Sequence, residues 1–149
     1  MAGRAGRAAL PGEVLIQTRF PVHPLYRALF SGDYVGFAAG QIAERRAAGF
    51  PPAVAEAVLR AEAHDVNAAL AFLKDALGAA PAPPDAITLY DPVPMSLARL
   101  AEWSRAHLLI QSRSRRALQT FLAAWTEQLY ARRAPGGVRW HIDVDPIEF

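Results

Sequence analysis

The chain has 149 residues, 52% of them apolar, with 16 basic and 14 acidic side chains and a formal charge of +2. This length allows one domain with a true core, and the apolar share excludes a disordered chain. The absence of cysteine excludes disulfides, thiolate chemistry and cysteine zinc sites, and no apolar run reaches the ~20 residues of a membrane span.

Residues 1–12, rich in Gly, Ala and Arg, predict a loop or a frayed end. They lack the apolar stretch of a signal peptide, so a cytoplasmic location is expected, with no membrane partner. Glu13 to Thr18 is a compact, branched run that predicts a strand, broken by Pro21 and Pro24. Two short helices follow, around Leu25–Phe30 and Tyr34–Ala48. Asp33 would cap the second and Gly49 would end it before Pro51-Pro52. That double proline is the expected domain boundary, and together with the break at Pro21 and Pro24 it divides the chain into 1–22, 23–52 and 53–149.

Ala53 to Gly78 admits two readings. Propensity favours one alanine-rich helix, yet Val54, Glu56, Val58, Arg60 and Glu62 alternate with small residues as in a strand. We divide it into a strand and a helix that starts at His64-Asp65, with Val66, Leu70, Leu73 and Leu77 as its apolar stripe. A proline-rich connector, a short strand at Ile87–Tyr90 and a turn at Asp91–Pro94 come next. Met95 to Gln111 reads as one long strand bent near Glu102–Ser104.

Ser112 or Ser114 can cap the helix that follows, in which Leu118, Phe121, Leu122, Trp125 and Leu129 share one face. Arg115, Gln119, Ala123, Thr126 and Tyr130 form a second stripe along the edge of that face. The basic first turn of this helix is open to two readings, a solvated charge cluster or an anion site where N–H groups and guanidinium forks converge. Last, Val138, Trp140, Ile142 and Val144 alternate with Arg139, His141, Asp143 and Asp145 as a half-buried edge strand. The order from Ala53 is β-α-β-β-α-β. This predicts an α+β domain in which a four-stranded antiparallel sheet, over residues 53–145, carries helices at 65–77 and 114–131 on one face.

Fifteen of the 16 basic residues are Arg, and Lys74 stands alone. Five of them fall in 113–133 against Glu127, while 51–85 is net acidic. Trp103, Arg105 and His107 alternate along one strand face, where an aromatic ring and arginine can stack on bases or belong to a core edge. Asp143 and Asp145 are a conceivable carboxylate pair, but beside Arg139 and His141 they read better as a solvated edge. The histidines His23, His64, His107 and His141 lack ligand spacing, so no metal site is expected. There is no phosphate loop and no Gly-x-Ser-x-Gly elbow, so no complete active site is expected.

The opening Ala2-Gly-Arg-Ala-Gly-Arg7 resembles the end of helicase motif VI of superfamily 2 motors. With Pro11 to Thr18, Ala43 to Pro52 and the closing Ile142-Asp-Val-Asp-Pro146, it resembles the C-terminal part of the bacterial primosomal protein N′ family, the replication-restart helicases. The resemblance runs the whole length and implies a piece that starts inside motif VI, carrying the end of the second helicase lobe ahead of the α+β domain. It implies a parent that unwinds branched DNA 3′ to 5′ with ATP and Mg and carries zinc in a cysteine module, and it implies no cofactor for this piece itself. DNA, branched or single-stranded, other primosome proteins and the remaining helicase domains are the implied partners. Arg7 would be the arginine finger and Arg4 its motif partner. Arg115 and Gln119, in the run Ser114 to Gln119, would hold the acidic, Phe-ending tail of the single-stranded DNA-binding protein. Arg105, Trp103 and Arg113 are the candidate DNA contacts, although around Glu102-Trp103-Ser104 the family usually has a glycine and a tyrosine. The alternative is a free-standing α+β nucleic-acid or protein interaction module without a motor.

Overall fold

The computed structural model of the chain describes residues 14–100, 102–132 and 134–147. The chain divides into two units, one ending at Ile42 and one running from Ala43. In the first, α1 (Pro24–Ser31) is capped by His23, whose Nδ1 accepts from the Leu25 N–H, and it ends on Gly32 at φ 69°. Next comes α2 (Tyr34–Ala47), which continues past Ile42 and whose start is held by Asp33 Oδ1 accepting from the Gly36 N–H at 2.8 Å. The strand expected at Glu13–Thr18 does not form over 14–18, where Leu15 is 86% exposed. No neighbouring backbone pairs with it among the described residues, and a strand without a partner leaves its N–H and C=O groups to water.

The second unit holds β1 (Ala55–Ala63), α3 (Val66–Gly78), β2 (Ile87–Leu89), β3 (Val93–Leu100), β4 (Trp103–Ser112), α4 (Arg115–Ala131) and β5 (Arg139–Val144). The division of Ala53–Gly78 into strand and helix holds, and Asp65 caps α3 by accepting from the Asn67 N–H. The sheet is antiparallel with the order β2-β4-β1-β5, and β3 pairs with the other end of the β4 edge that β2 occupies.

It therefore has five strands, where four were expected. The stretch from Met95 to Gln111 does not bend gently. It reverses, so that Leu100 pairs with Trp103 and Val93 with His107. β2 and β3 together line one edge of β4, interrupted around Pro92, which has no N–H to give a ladder. Counted as lanes, this is the split β-α-β-β-α-β arrangement.

The main core lies under one face of the sheet. β1 turns Ala55, Ala57, Leu59, Ala61 and Ala63 toward the helices, and β4 adds Ala106, Leu108 and Ile110. The helices bring the bulk: Leu118, Phe121, Leu122, Trp125 and Leu129 from α4, all predicted, and Ala69, Phe72, Leu73 and Ala76 from α3. On α3 the expected stripe is rotated, since Leu70 and Leu77 only flank the core. Two contacts explain the turn: Trp125 Nε1 donates to the Ala76 carbonyl at 3.2 Å, and the Phe72 ring stacks on Trp140. Small side chains on the strand let large ones on the helices come close, as dense packing requires.

Candidate functional site

Two surfaces gather the candidate residues. The first is the start of α4, where Ser114 Oγ accepts from the Ala117 N–H and opens the helix. Arg115 and Gln119 are both exposed, one turn and about 6 Å apart along the axis. Arg115 already holds a carboxylate: its Nη1 and Nη2 donate to Asp145 Oδ2 at 2.6 Å and Oδ1 at 2.9 Å. These paired bonds raise the Arg115 pKa and lower that of Asp145.

Asp145 reaches the helix because the chain leaves β5 there. Its φ is 55°, and its N–H donates to the Glu56 carbonyl at 3.0 Å. Leu118 and Leu122 of the same helix are buried in the core and leave no apolar surface beside them. Exposed apolar surface comes instead from Val144 and Ile147, on either side of Asp145 in sequence. Arg116 lines a different groove with Pro81, Ala82 and Pro84, so adjacent arginines serve separate surfaces.

The second surface is the open face of the sheet. Trp103 and Arg105 of β4 lie two residues apart on it, and Glu62 of β1 stands opposite both Arg105 and Arg139 of β5. The Arg139 guanidinium sits 4.1 Å over the Trp103 ring, whose other neighbour is the His64 ring at 4.5 Å. Farther along, Arg60 pairs with Asp143 at 3.2 Å and points Nη1 at the Met95 sulfur. Burial, and then the Arg60 charge, hold the His107 imidazole below its ordinary range, so it is neutral at pH 7. The far end of this face is structural. Gln111 donates to Glu56 and to the Gly49 carbonyl, and accepts from the Tyr90 hydroxyl.

Of the sequence-predicted contacts, Trp103 and Arg105 come together, while Arg113 lies at the other end of β4, roughly 30 Å away, with Nη2 on the Asp85 carbonyl. Asp143 and Asp145 do not form a pair. One salt-bridges to Arg60 on the open face and the other to Arg115 on α4. Arg4 and Arg7 lie outside the described residues. Arg139 and Arg60 were not singled out as site residues, and Asp145 was weighed only as half of a carboxylate pair with Asp143. The alternation signal placed Arg139 and Arg60 on strand faces, but only the β1–β5 register and the positive φ at Asp145 bring them to their partners. No group of three or more metal-ligating side chains occurs among the described residues, and no described helix is long and apolar enough to cross a membrane.

A sequence profile of the primosomal protein N C-terminal domain matches residues 46–147. The chain is 32% identical over 98% of its length to replication restart protein PriA of Haemophilus influenzae, covering 20% of that protein. It is 31% identical over 99% of its length to the Synechocystis PriA and 34% over 99% to the Treponema pallidum PriA, covering 17% and 22% of them. The chain thus spans about a fifth of the length of these relatives. The profile takes in all five strands together with α3 and α4, and on that match the chain belongs to the PriA family and corresponds to its C-terminal part.

Proposed function

We propose that this chain is the C-terminal region of an ATP-dependent 3′–5′ DNA helicase of replication restart, in which it binds DNA and docks the acidic, Phe-ending tail of the single-stranded DNA-binding protein. The names of the relatives support the restart role. The observation that carries the docking role is the Arg115 fork, set face-on to a carboxylate and one turn from the exposed Gln119 amide. A tail ending in a free carboxylate would exchange onto that fork, with Gln119 bonding the peptide backbone.

The remaining helicase domains would supply the rest of the pocket, so the chain alone binds weakly, in the ~100 μM to 1 mM range. Fluorescence anisotropy with a labelled tail peptide at low salt tests this. Arg115→Ala should remove most binding and Arg116→Ala little; equal losses would mean diffuse attraction and sink the assignment.

Trp103 and Arg105, joined by Arg139, are the proposed DNA-facing set. Trp103→Ala should lower affinity for single-stranded DNA by ~1–3 kcal/mol, and Arg105→Ala should reduce the salt slope by about one. No effect from either substitution would move DNA binding off this face. In the whole protein, ATP and Mg would be held by other lobes, Arg7 and Arg4 would complete motif VI, and zinc would sit in the separate cysteine module. The chain by itself should therefore not hydrolyse ATP, and DNA-stimulated hydrolysis by the pure chain would overturn that division.

A further inference from the structure

We propose that Asp145 is an internal competitor for the Arg115 fork, occupying the place that a partner's carboxylate must take. The inference rests on the docking reading above and concerns the control of that same site. The Asp145 carboxylate meets both guanidinium nitrogens at 2.6 and 2.9 Å, the geometry a bound carboxylate terminus would adopt. Delivery of this carboxylate is built into the backbone. The residue stands at φ 55°, its N–H is tied to the Glu56 carbonyl, and Pro146 follows it.

The hold on the fork is nevertheless loose. The two side chains are 58% and 49% exposed, so water and salt screen the pair. An arriving carboxylate exchanges for Asp145 without unfolding anything, while the fixed Asp145 backbone keeps the competitor in reach. Once displaced, the Asp145 charge also repels an acidic chain. A lone carboxylate therefore gains little from the exchange. A peptide that adds a second contact, such as a backbone bond to Gln119, gains enough to displace it. Asp145 thus lowers affinity and at the same time selects for ligands that make more than one contact.

Occupation of a site by an internal group reduces apparent affinity by the fraction of sites left open. For an exposed ion pair that factor is about two- to fivefold. The test uses a labelled short acidic peptide ending in Pro-Phe with a free carboxylate, and the same peptide as its C-terminal amide. Asp145→Asn removes the charge and keeps a residue that tolerates positive φ. It should tighten binding of the free acid by about two- to fivefold and of the amide by less.

Glu127→Gln makes the same change in net charge about 18 Å farther along α4 and should leave binding as it was. Adding Arg115→Ala to Asp145→Asn should abolish the gain. If Asp145→Asn leaves binding unchanged or weaker while Arg115→Ala still removes it, the competitor role is overturned and the docking reading stands. Equal gains from Asp145→Asn and Glu127→Gln also overturn it, because they would report diffuse charge. If Arg115→Ala has no effect on the unaltered chain, the docking reading falls and the competitor role with it.

Discussion

On its helix side β1 presents Ala55, Ala57, Leu59, Ala61 and Ala63, and on its other side the same strand presents Glu56, Val58, Arg60 and Glu62. The first set is matched only by apolar groups from α3, α4 and β4. Around the second the neighbours are mostly polar, Gln111 beside Glu56, Asp143 beside Arg60, Arg105 and Arg139 beside Glu62, with Val58 buried against Leu109 among them. One face is held by shape and the other by pairing. A residue can therefore be exchanged for another of similar volume on the first face, whereas on the second a lost charge leaves its partner's charge uncompensated. The contacts proposed above lie at the Trp103 end of this second face and at the exposed Arg115–Asp145 pair on the rim.

The sharpest way to break this division is to empty the covered face. Trp125 is fully buried and bonds across to α3, so Trp125→Ala should cost about 3–5 kcal/mol in urea unfolding. A cost below about 1 kcal/mol would mean that the helices are held by something other than this core. Neighbouring positions on β1 give the direct contrast. Ala61→Leu pushes a larger side chain into a filled layer and should cost about 1–3 kcal/mol. Glu62→Gln, one residue on and on the open face, keeps the volume, removes the charge between Arg105 and Arg139, and should cost less, about 0.5–1 kcal/mol. Equal effects would erase the distinction between the faces.

Much of this plan is visible in the sequence where side chains repeat with a clear period. The α4 stripe from Leu118 to Leu129 is buried as its spacing predicts, and the alternation of β1 overrides the helix propensity of its alanines. The reversal between Leu100 and Trp103 is not visible, because no Gly, Pro or Asn-Gly step marks it and the apolar pattern runs through. The α3 face is misjudged for a related reason: Ala69 and Ala76 carry little hydrophobic signal, yet they lie where Trp125 needs room. At the rim the helix wheel correctly places Arg115 and Gln119 outside the core. The partner of Arg115 depends on a left-handed residue at the end of an edge strand, and local pattern does not encode it.

A smaller effect sharpens the boundary between core and rim. Ser114 Oγ is the cap of α4, and Ser114→Ala should cost about 1 kcal/mol by leaving the Ala117 N–H unpaired. Thermal unfolding measures it, and binding at the proposed Arg115 docking site should weaken alongside if the first turn frays. No change in stability would mean that water replaces the cap at no cost.

The smallest effect probes whether the open face is truly removed from water. His107 is half-buried there, opposite Arg60 of β1 and Val93 of β3 and two residues from Arg105, with His141 and Asp143 of β5 beside Arg60 on its far side. Its Nδ1 has no hydrogen-bond partner among the described residues. Burial first, and the Arg60 charge second, lower its pKa in the fold from the 6.5 of a free imidazole. The unfolded chain therefore binds the proton more readily, so stability must rise with pH through this window. It is fully present above about 6.5 and is lost progressively as the pH falls from there toward the folded-state value. His107→Gln has no proton to take up. Measured by urea unfolding at pH 7.5, 6.5, 5.5 and 5.0, the unaltered chain should lose stability relative to the variant as the pH drops. The two should run parallel above pH 7, where both side chains are neutral. Curves that stay parallel down to pH 5 would show His107 as well hydrated as a surface histidine, and the open face would then be ordinary solvent-exposed sheet.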